Sequence, residues 1–451
     1  MSVSNRLLSV YDVDKAGAEL CRDMQIVGFA FDGEHARRLR EHLVAIEERA
    51  RDAADEAVVE AGGDPIARTD TGGFSTRDLQ RAFRETLRAP VYIRSSITGN
   101  PSYGVDTLRS YAACADERLR RLALAILEWR RARKIRSTYI DGVRVGGDGR
   151  VHPSWLSYGA VSGRWACRAP NLMNLPRAGT DPTRELGGIR SLYVARLGCK
   201  LVVFDKSQLE MRIAAYVTGD ERMIDACESS DLHSTNAKLI FGDQFDAAEY
   251  KRLDREGGKR HPDPELRARY VELYTLRTLA KTSGFAVCYF AEAETVYARL
   301  VADGMAIKLR QVEAMVNRLH RSFSTYFRWQ QDRHRDSIRT GYLYTPILGR
   351  RRWVGHDCSP TDMNYHIQGG AADVMNLTLP RIVERLRGAS PKTRLVAQVH
   401  DSAVFEAPAD EAERVRDVCI AVNAEPFTIT SSGKALEARF PIDIEITDRW
   451  S

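Results

Sequence analysis

Residues 200–218 read KLVVFDKSQLEMRIAAYVT, and residues 393–407 read TRLVAQVHDSAVFEA. The first opens on LVVF, an apolar and β-branched run of the kind that forms a buried strand. It continues with helical spacing, and there Ser207 and Glu210 have capping-box spacing. The second alternates apolar and polar residues on both sides of His400-Asp401-Ser402, which predicts two strands joined by a tight turn. Each stretch thus delivers one carboxylate, Asp205 or Asp401, to a strand end. Alone, either acid is an ordinary turn or capping residue. As a pair on adjacent strand ends they suit two Mg²⁺ ions about 4 Å apart, a clamp that activates an attacking hydroxyl and stabilises a leaving oxygen.

Between these stretches lies RTLAKTSGFAVCYF, residues 277–290. Arg277, Lys281, Phe285 and Tyr289 recur every fourth residue, so they share one slowly drifting helix face. Two cations followed by two aromatics suit a triphosphate next to a sugar and base. The same stripe also fits a helix with an aromatic core face and solvated cations. Charged helical segments fill 221–340. Upstream, Gly33 to about Val59 reads as a long, charged helix whose thin apolar stripe (Leu39, Leu43, Ile46) predicts an element that projects rather than sits in a core. A Gly/Pro/Thr-rich break follows, then one helical stretch over 107–139 with Arg and Lys outside.

The chain has 451 residues, 43% hydrophobic and 28% charged, an ordinary globular composition divisible into several subdomains. No apolar run approaches the roughly 18 residues that span a bilayer, and the N-terminus lacks the layout of a signal peptide. The expected location is therefore cytoplasmic, in a bacterial cell or phage-infected host, with no membrane partner. Eight scattered cysteines, none in a C-x-x-C pair, read as free thiols of a reducing compartment. Of 67 basic residues 56 are Arg, and the net charge is +6. Arg favours a polyanionic partner, although Arg-rich usage also follows from a GC-rich genome.

With these residues in view, the chain resembles the family A DNA polymerases typified by bacterial DNA polymerase I. FDKSQLEMR is similar to that family's motif A, RTLAKTSGFAVCYF to motif B and AQVHDSAVFE to motif C, in the family's order. RKIRSTYIDG, SGRWACRAPNLMNLPR, DLHSTNAKLIFG, GYLYTPILGRRR and NYHIQGGAADVMN match supporting segments. The resemblance runs from about Gly28 to the C-terminus. It implies an α+β right-hand polymerase fold with an antiparallel palm sheet, helical fingers and a helical thumb. The implied parts are an N-terminal palm base at 1–35, the thumb at 36–140, palm with motif A at 141–215, fingers with motif B at 216–340, and palm with motif C at 341–451. Two Mg²⁺, replaceable by Mn²⁺, would be held by Asp205, Asp401 and the backbone carbonyl of Lys206. Arg277, Lys281 and His233 would bind the triphosphate, Phe285 its sugar, and Tyr289 would sit near the templating pair. On chemical grounds Lys281 is also a candidate proton donor to the leaving pyrophosphate. Glu210 would exclude a 2′-hydroxyl, and Gln208 belongs to the same nucleotide site. Arg164, Asn364, Gln368, His400, Asn171 and Asn174 would contact DNA. The implied partners are primer-template DNA and deoxynucleotides, with a separate exonuclease or replication accessory proteins beside a monomeric enzyme of replication or repair.

The chain departs from the family's pattern at Ser402, where motif C usually has a second acid, at Lys206, usually a tyrosine, and at Phe290, usually a glycine. Lys206 is expected to add positive charge beside the site. The stretch AAEYKRLDREGGKRHPDPELRARYVELY, ahead of Arg277, is longer and more charged than usual and reads as a solvated enlargement of the fingers. Asp263/Glu265 and Asp443/Glu445 lie in the wrong contexts for exonuclease carboxylates, so no intrinsic exonuclease is expected. A single-subunit RNA polymerase is the nearest rival, but the resemblance places a small residue and a tyrosine where this chain has Glu210 and Phe285. A catalytically dead DNA-binding relative is the second rival, opposed by retention of Asp205, Asp401, Arg277 and Lys281 together.

Overall fold

The computed structural model describes residues 9–69, 72–96, 98–176, 181–228, 231–289, 291–302, 305, 307–431 and 434–450. They divide into two compact units. The first comprises the N-terminus to Gly28, Pro153–Arg168 and Ala195–Asp448. The second comprises Phe29–His152, Ala169–Val194 and the C-terminal end from Arg449. The segment 141–215 is thus shared between both units.

The first unit is built on a four-stranded antiparallel sheet in the order Ile442–Thr447, Cys199–Lys206, Ser402–Pro408, Arg394–Val399. The expected strand LVVF is its interior: Leu201, Val202 and Phe204 are buried, as are Val404 and Phe405 across the ladder. Side chains alternate across a strand. Val202, Phe204 and Lys206 therefore share the face that carries the Ala412–Asn423 helix, and Asp205 takes the other face. The expected hairpin closes with the two residues His400 and Asp401 between the paired Val399 and Ser402. The Asn364–Ala389 helix packs on the Leu209–Thr218 helix at Gly370. A Cβ on Gly370 would lie 2.9 Å from both Ile213 Cγ2 and Pro346 Cγ, so only glycine permits this approach. The remaining helices of this unit include Leu232–Phe241, Ala247–Arg255, Pro264–Cys288, Leu309–Ser322 and Ser324–Thr340.

The second unit corrects two expectations. The Gly33–Glu60 helix does not project: Leu39, Leu43 and Ile46 are continued by buried Ala50, Ala54, Ala57 and Val58, and this face packs on the Glu117–Arg136 helix. Alanines extended the apolar stripe past the charged residues that seemed to interrupt it, because they let the two backbones approach. Even Glu47 is buried there, satisfied by Arg136 at 2.6 Å and Arg133 at 3.4 Å. The stretch 107–139 is two helices, Val105–Ala112 and Glu117–Arg136. Asp116 restarts the second by accepting from the backbone of Arg118 and Leu119. A small sheet of Arg150–Val151, Phe29–Phe31 and Tyr193–Val194 completes the unit under Trp450. Among the described residues no helix is long and apolar enough to cross a membrane, and no disulfide joins the described cysteines.

Candidate active site

Ser402 pairs directly with Asp205 across the ladder, and Asp401 precedes it in the turn. The Lys206 amide donates to the Asp401 carbonyl at 3.0 Å, which ties the turn to the end of the Asp205 strand. The two acids that are 196 positions apart in the chain are thereby brought to one sheet end. His400 holds this turn with φ +54°, a left-handed value that costs a non-glycine residue about 1 kcal/mol. Gln208, at the start of the following helix, has φ +55°. Both departures from ordinary backbone flank the carboxylates.

Asp205 is exposed and Asp401 half-buried. Burial, then the negative charges of Glu210 and Asp205, push the Asp401 carboxyl up to about 7, against the opposing pull of Arg164 and Lys206. Carboxylates crowded this way, with hard oxygen donors, are the chemistry that a divalent cation relieves. Among the described residues no cluster of three or more His, Cys, Asp or Glu side chains has the arrangement of a metal site. A cation here would rest on the two aspartates with backbone or water oxygens.

The expected capping box does not form. The Leu209–Thr218 helix starts at Gln208 without a side-chain cap. Ser207 instead donates to Asp443 at 2.8 Å, and Glu210 forms an ion pair with Arg164. Cross-chain partners outcompete the local pattern because both side chains lie on the working side of the sheet. The charge expected of Lys206 acts on Asp401 from the far face of the sheet. Its side chain runs to the opposite face, 2% exposed, with Nζ 2.5 Å from Asn423 Oδ1 and 5.9 Å from the Phe440 ring. Burial lowers its ammonium to about 7. Strand alternation removes it from the surface that Asp205 faces.

Arg277 and Lys281 lie one turn apart on the Pro264–Cys288 helix, which packs on the Leu232–Phe241 helix. Gly284 permits that contact, since a Cβ there would lie 2.8 Å from Asn236 Nδ2. His233, on the second helix, is buried, and burial together with the charges of Lys281 and Arg277 depresses it to about 4. These three basic groups therefore form one cluster. Arg277 is held by Asp231, which accepts from Nε at 3.0 Å and Nη2 at 2.9 Å, and its guanidinium lies 5.4 Å from the Tyr250 ring centre. Phe285 lies on the same helix with its side chain outside the described part, and Phe290 lies outside the described residues. The Tyr289 hydroxyl is buried without a hydrogen-bond partner among the described residues.

Asn364 opens the Asn364–Ala389 helix with its Oδ1 buried and without a partner among the described residues, and Gln368 follows one turn later on the same face. The Gln208 Oε1 is likewise buried and without a partner among the described residues. Asn171 and Asn174 belong to the second unit. There Asn171 caps a short helical turn by accepting from Met173, and the Asn174 carbonyl accepts from the Tyr139 hydroxyl at 2.7 Å. Of the acids set aside above, Asp263 accepts from the backbone of Glu265 and Leu266, and Asp443 accepts from Ser207.

Sequence reasoning missed three groups. Asp231 carries a helix-capping signature, yet nothing in the sequence pairs it with Arg277. Tyr250 was passed over within a solvated insertion. Arg350 is buried in a network with bidentate bonds of 2.7 Å to Asp14 and a 3.6 Å contact to Asp373, and it also lies against Tyr158. It thereby braces the loop that carries Arg164.

A four-stranded antiparallel sheet with two acids at one end, in a chain that also carries a cationic helix pair, is an architecture of nucleic-acid polymerases. The chain belongs to DNA polymerase family A, whose sequence pattern matches residues 37–261 and 271–451. It is 29% identical over 468 residues to DNA polymerase I of Chloroflexus aurantiacus, covering 98% of this chain and 43% of the relative. It is also 29% identical over 432 residues to the thermostable DNA polymerase I of Thermus aquaticus, covering 91% of this chain and 45% of that protein. The chain thus spans under half the length of these relatives. The fold matches the POL domain of Pol1 from M. smegmatis, solved in complex with a DNA primer-template and dNTP. The TM-score is 0.77 at 22% identity, over 97% of this chain and 70% of that one.

Proposed function

We propose that this chain is a template-directed DNA polymerase that extends a primer 3′-hydroxyl with deoxynucleotides and releases pyrophosphate, in DNA replication or repair. The observation that carries the reading is the tied turn that brings Asp205 and Asp401 to one sheet end. Two Mg²⁺, or Mn²⁺ in their place, would be held by both aspartates and the Lys206 carbonyl, and when bound they supply activation of the attacking hydroxyl and charge neutralisation at the leaving oxygen. Arg277, Lys281 and neutral His233 bind the triphosphate and orient its leaving end. Phe285 packs on the sugar, Glu210 blocks a 2′-hydroxyl, and Tyr289 and Gln208 complete the nucleotide site. Arg164, Asn364 and Gln368 probe the primer terminus, His400 supports its end, and Asn171 and Asn174 contact the template duplex. The palm, fingers and thumb are assigned to the ranges set out for them above. The enzyme acts as a cytoplasmic monomer, in a bacterial cell or phage-infected host, beside separate exonuclease or accessory proteins.

Extension of a labelled primer by purified protein tests this. Mg²⁺-dependent addition of deoxynucleotides, reduced at least about a thousandfold in Asp401→Ala, is the expected result. Preference for ribonucleotides would transfer the chain to the RNA polymerases. DNA binding without extension would make it a dead relative.

A further inference from the structure

The stretch that precedes Arg277 is more than a solvated enlargement. The family pattern leaves out residues 262–270. In the structure these begin the long Pro264–Cys288 helix, and the Ala247–Arg255 helix packs along its first turns. Three contacts fasten the two together. Glu249 accepts from Arg269 at 2.9 and 3.1 Å, Asp254 accepts from the Tyr270 hydroxyl at 2.6 Å, and the Tyr250 ring stacks on Tyr270 at 5.5 Å and 12°. Tyr250 is 8% exposed, closed from another side by Phe245. Its ring position is therefore set by the insertion.

That ring is a platform for Arg277. Asp231 grips one edge of the guanidinium through Nε and Nη2, and Tyr250 covers one face at 5.4 Å. A guanidinium has five N–H donors in a fixed plane. With one edge and one face taken, its rotation is fixed, and among the described residues no partner takes the Nη1 hydrogens, which remain for a ligand. A long, flexible side chain held this way loses less freedom when an anion binds.

We infer that Tyr250 is a positioning residue of the nucleotide site: the insertion, through this ring, sets the affinity for the incoming triphosphate by presenting Arg277. The inference rests on the reading of Arg277 as a triphosphate ligand.

Steady-state single-nucleotide extension separates the two ideas. Tyr250→Leu should raise the deoxynucleotide KM about fivefold with kcat changed less than about twofold, whereas Tyr250→Phe, which keeps the ring, should match the parent protein. In an Arg277→Ala background Tyr250→Leu should add nothing. A fluorinated phenylalanine at position 250 keeps the shape and depletes the π face. It should raise KM relative to Tyr250→Phe, and it serves if the leucine variant does not fold. An unchanged KM for the leucine and fluorinated variants overturns the inference. So does a matching fall in kcat and DNA affinity, or an effect that persists without Arg277. If Arg277→Ala itself leaves KM unchanged, the triphosphate reading fails first and takes the inference with it.

Discussion

At Lys281 the proposed chemistry separates into a charge and a proton. Arginine keeps the charge but does not give up a proton near neutral pH. If Lys281 is a proton donor, Lys281→Arg and Lys281→Ala will lose equal rate in pre-steady-state extension while nucleotide affinity stays the same. A fully active arginine variant would reduce Lys281 to a counter-charge. His366 gives a second residue-scale prediction. Buried against Trp329, with Nδ1 2.6 Å from the Tyr344 carbonyl, it is depressed by burial from 6.5 to about 4. The unfolded chain protonates this residue below pH 6.5 and the folded one only below about 4. Stability is therefore lost as pH falls between these values, on the order of 3 kcal/mol at about 1.36 kcal/mol per unit. His366→Gln should shift the acid midpoint of unfolding downward, as followed by circular dichroism. At this scale much was legible. Asp205 and Asp401 were ordinary singly and suggestive only as a pair, the stripe of Arg277 and Lys281 also fitted solvated cations, and it was the family resemblance that gave all four their roles. The direction of Lys206 was legible too, since neighbours on a strand point to opposite faces, and from the far face its charge still acts on Asp401.

Among the elements, the Asn364–Ala389 helix shows how a propensity can lose to packing. Gly370→Ala would gain about 1 kcal/mol of helix propensity. The new methyl would meet the stiff Ile213 side chain and the rigid Pro346 ring at 2.9 Å, an overpacking that costs about 1–3 kcal/mol. Net destabilisation is expected, with a lower melting temperature. An unchanged or raised value would show that the two helices slide apart freely. Strands and the hairpin were legible because their alternation and two-residue turn are local signals. The Gly33–Glu60 helix was misread because alanine is weakly apolar by side chain yet allows the closest helix contact. The capping box failed for the opposite reason: Ser207 and Glu210 found partners at Asp443 and Arg164, distant in sequence, that no local pattern contains.

On the scale of the molecule, long-range partners decide what the sequence hides. Asp14 and Arg350 are 336 positions apart, and Asp373 beside them is pushed up to about 6 by burial, with Arg350 opposing. Arg350→Met would leave Asp373 buried beside no cation, a loss of about 3–5 kcal/mol in urea unfolding. Because the Asn376 amide also holds the Gly163 carbonyl at 3.1 Å, primer extension should weaken as the Arg164 loop loosens. A fully active, equally stable variant would show that this network is dispensable. Electrostatic grip on a DNA backbone predicts that log affinity falls linearly with log salt, measured by fluorescence anisotropy. A flat response would mean that phosphates are not what the chain holds. The tied turn has one more consequence, for which lengths of chain mutation can change. Ahead of Arg277 the polypeptide carries an added, well-packed stretch, so growth there is accommodated. Between Val399 and Ser402 only two residues bridge the strands. A single codon gained or lost at His400-Asp401 would shift one strand against its neighbour and turn every later side chain to the opposite face. Lineages of this chain should therefore vary in length at the first place and stay in frame, residue for residue, at the second.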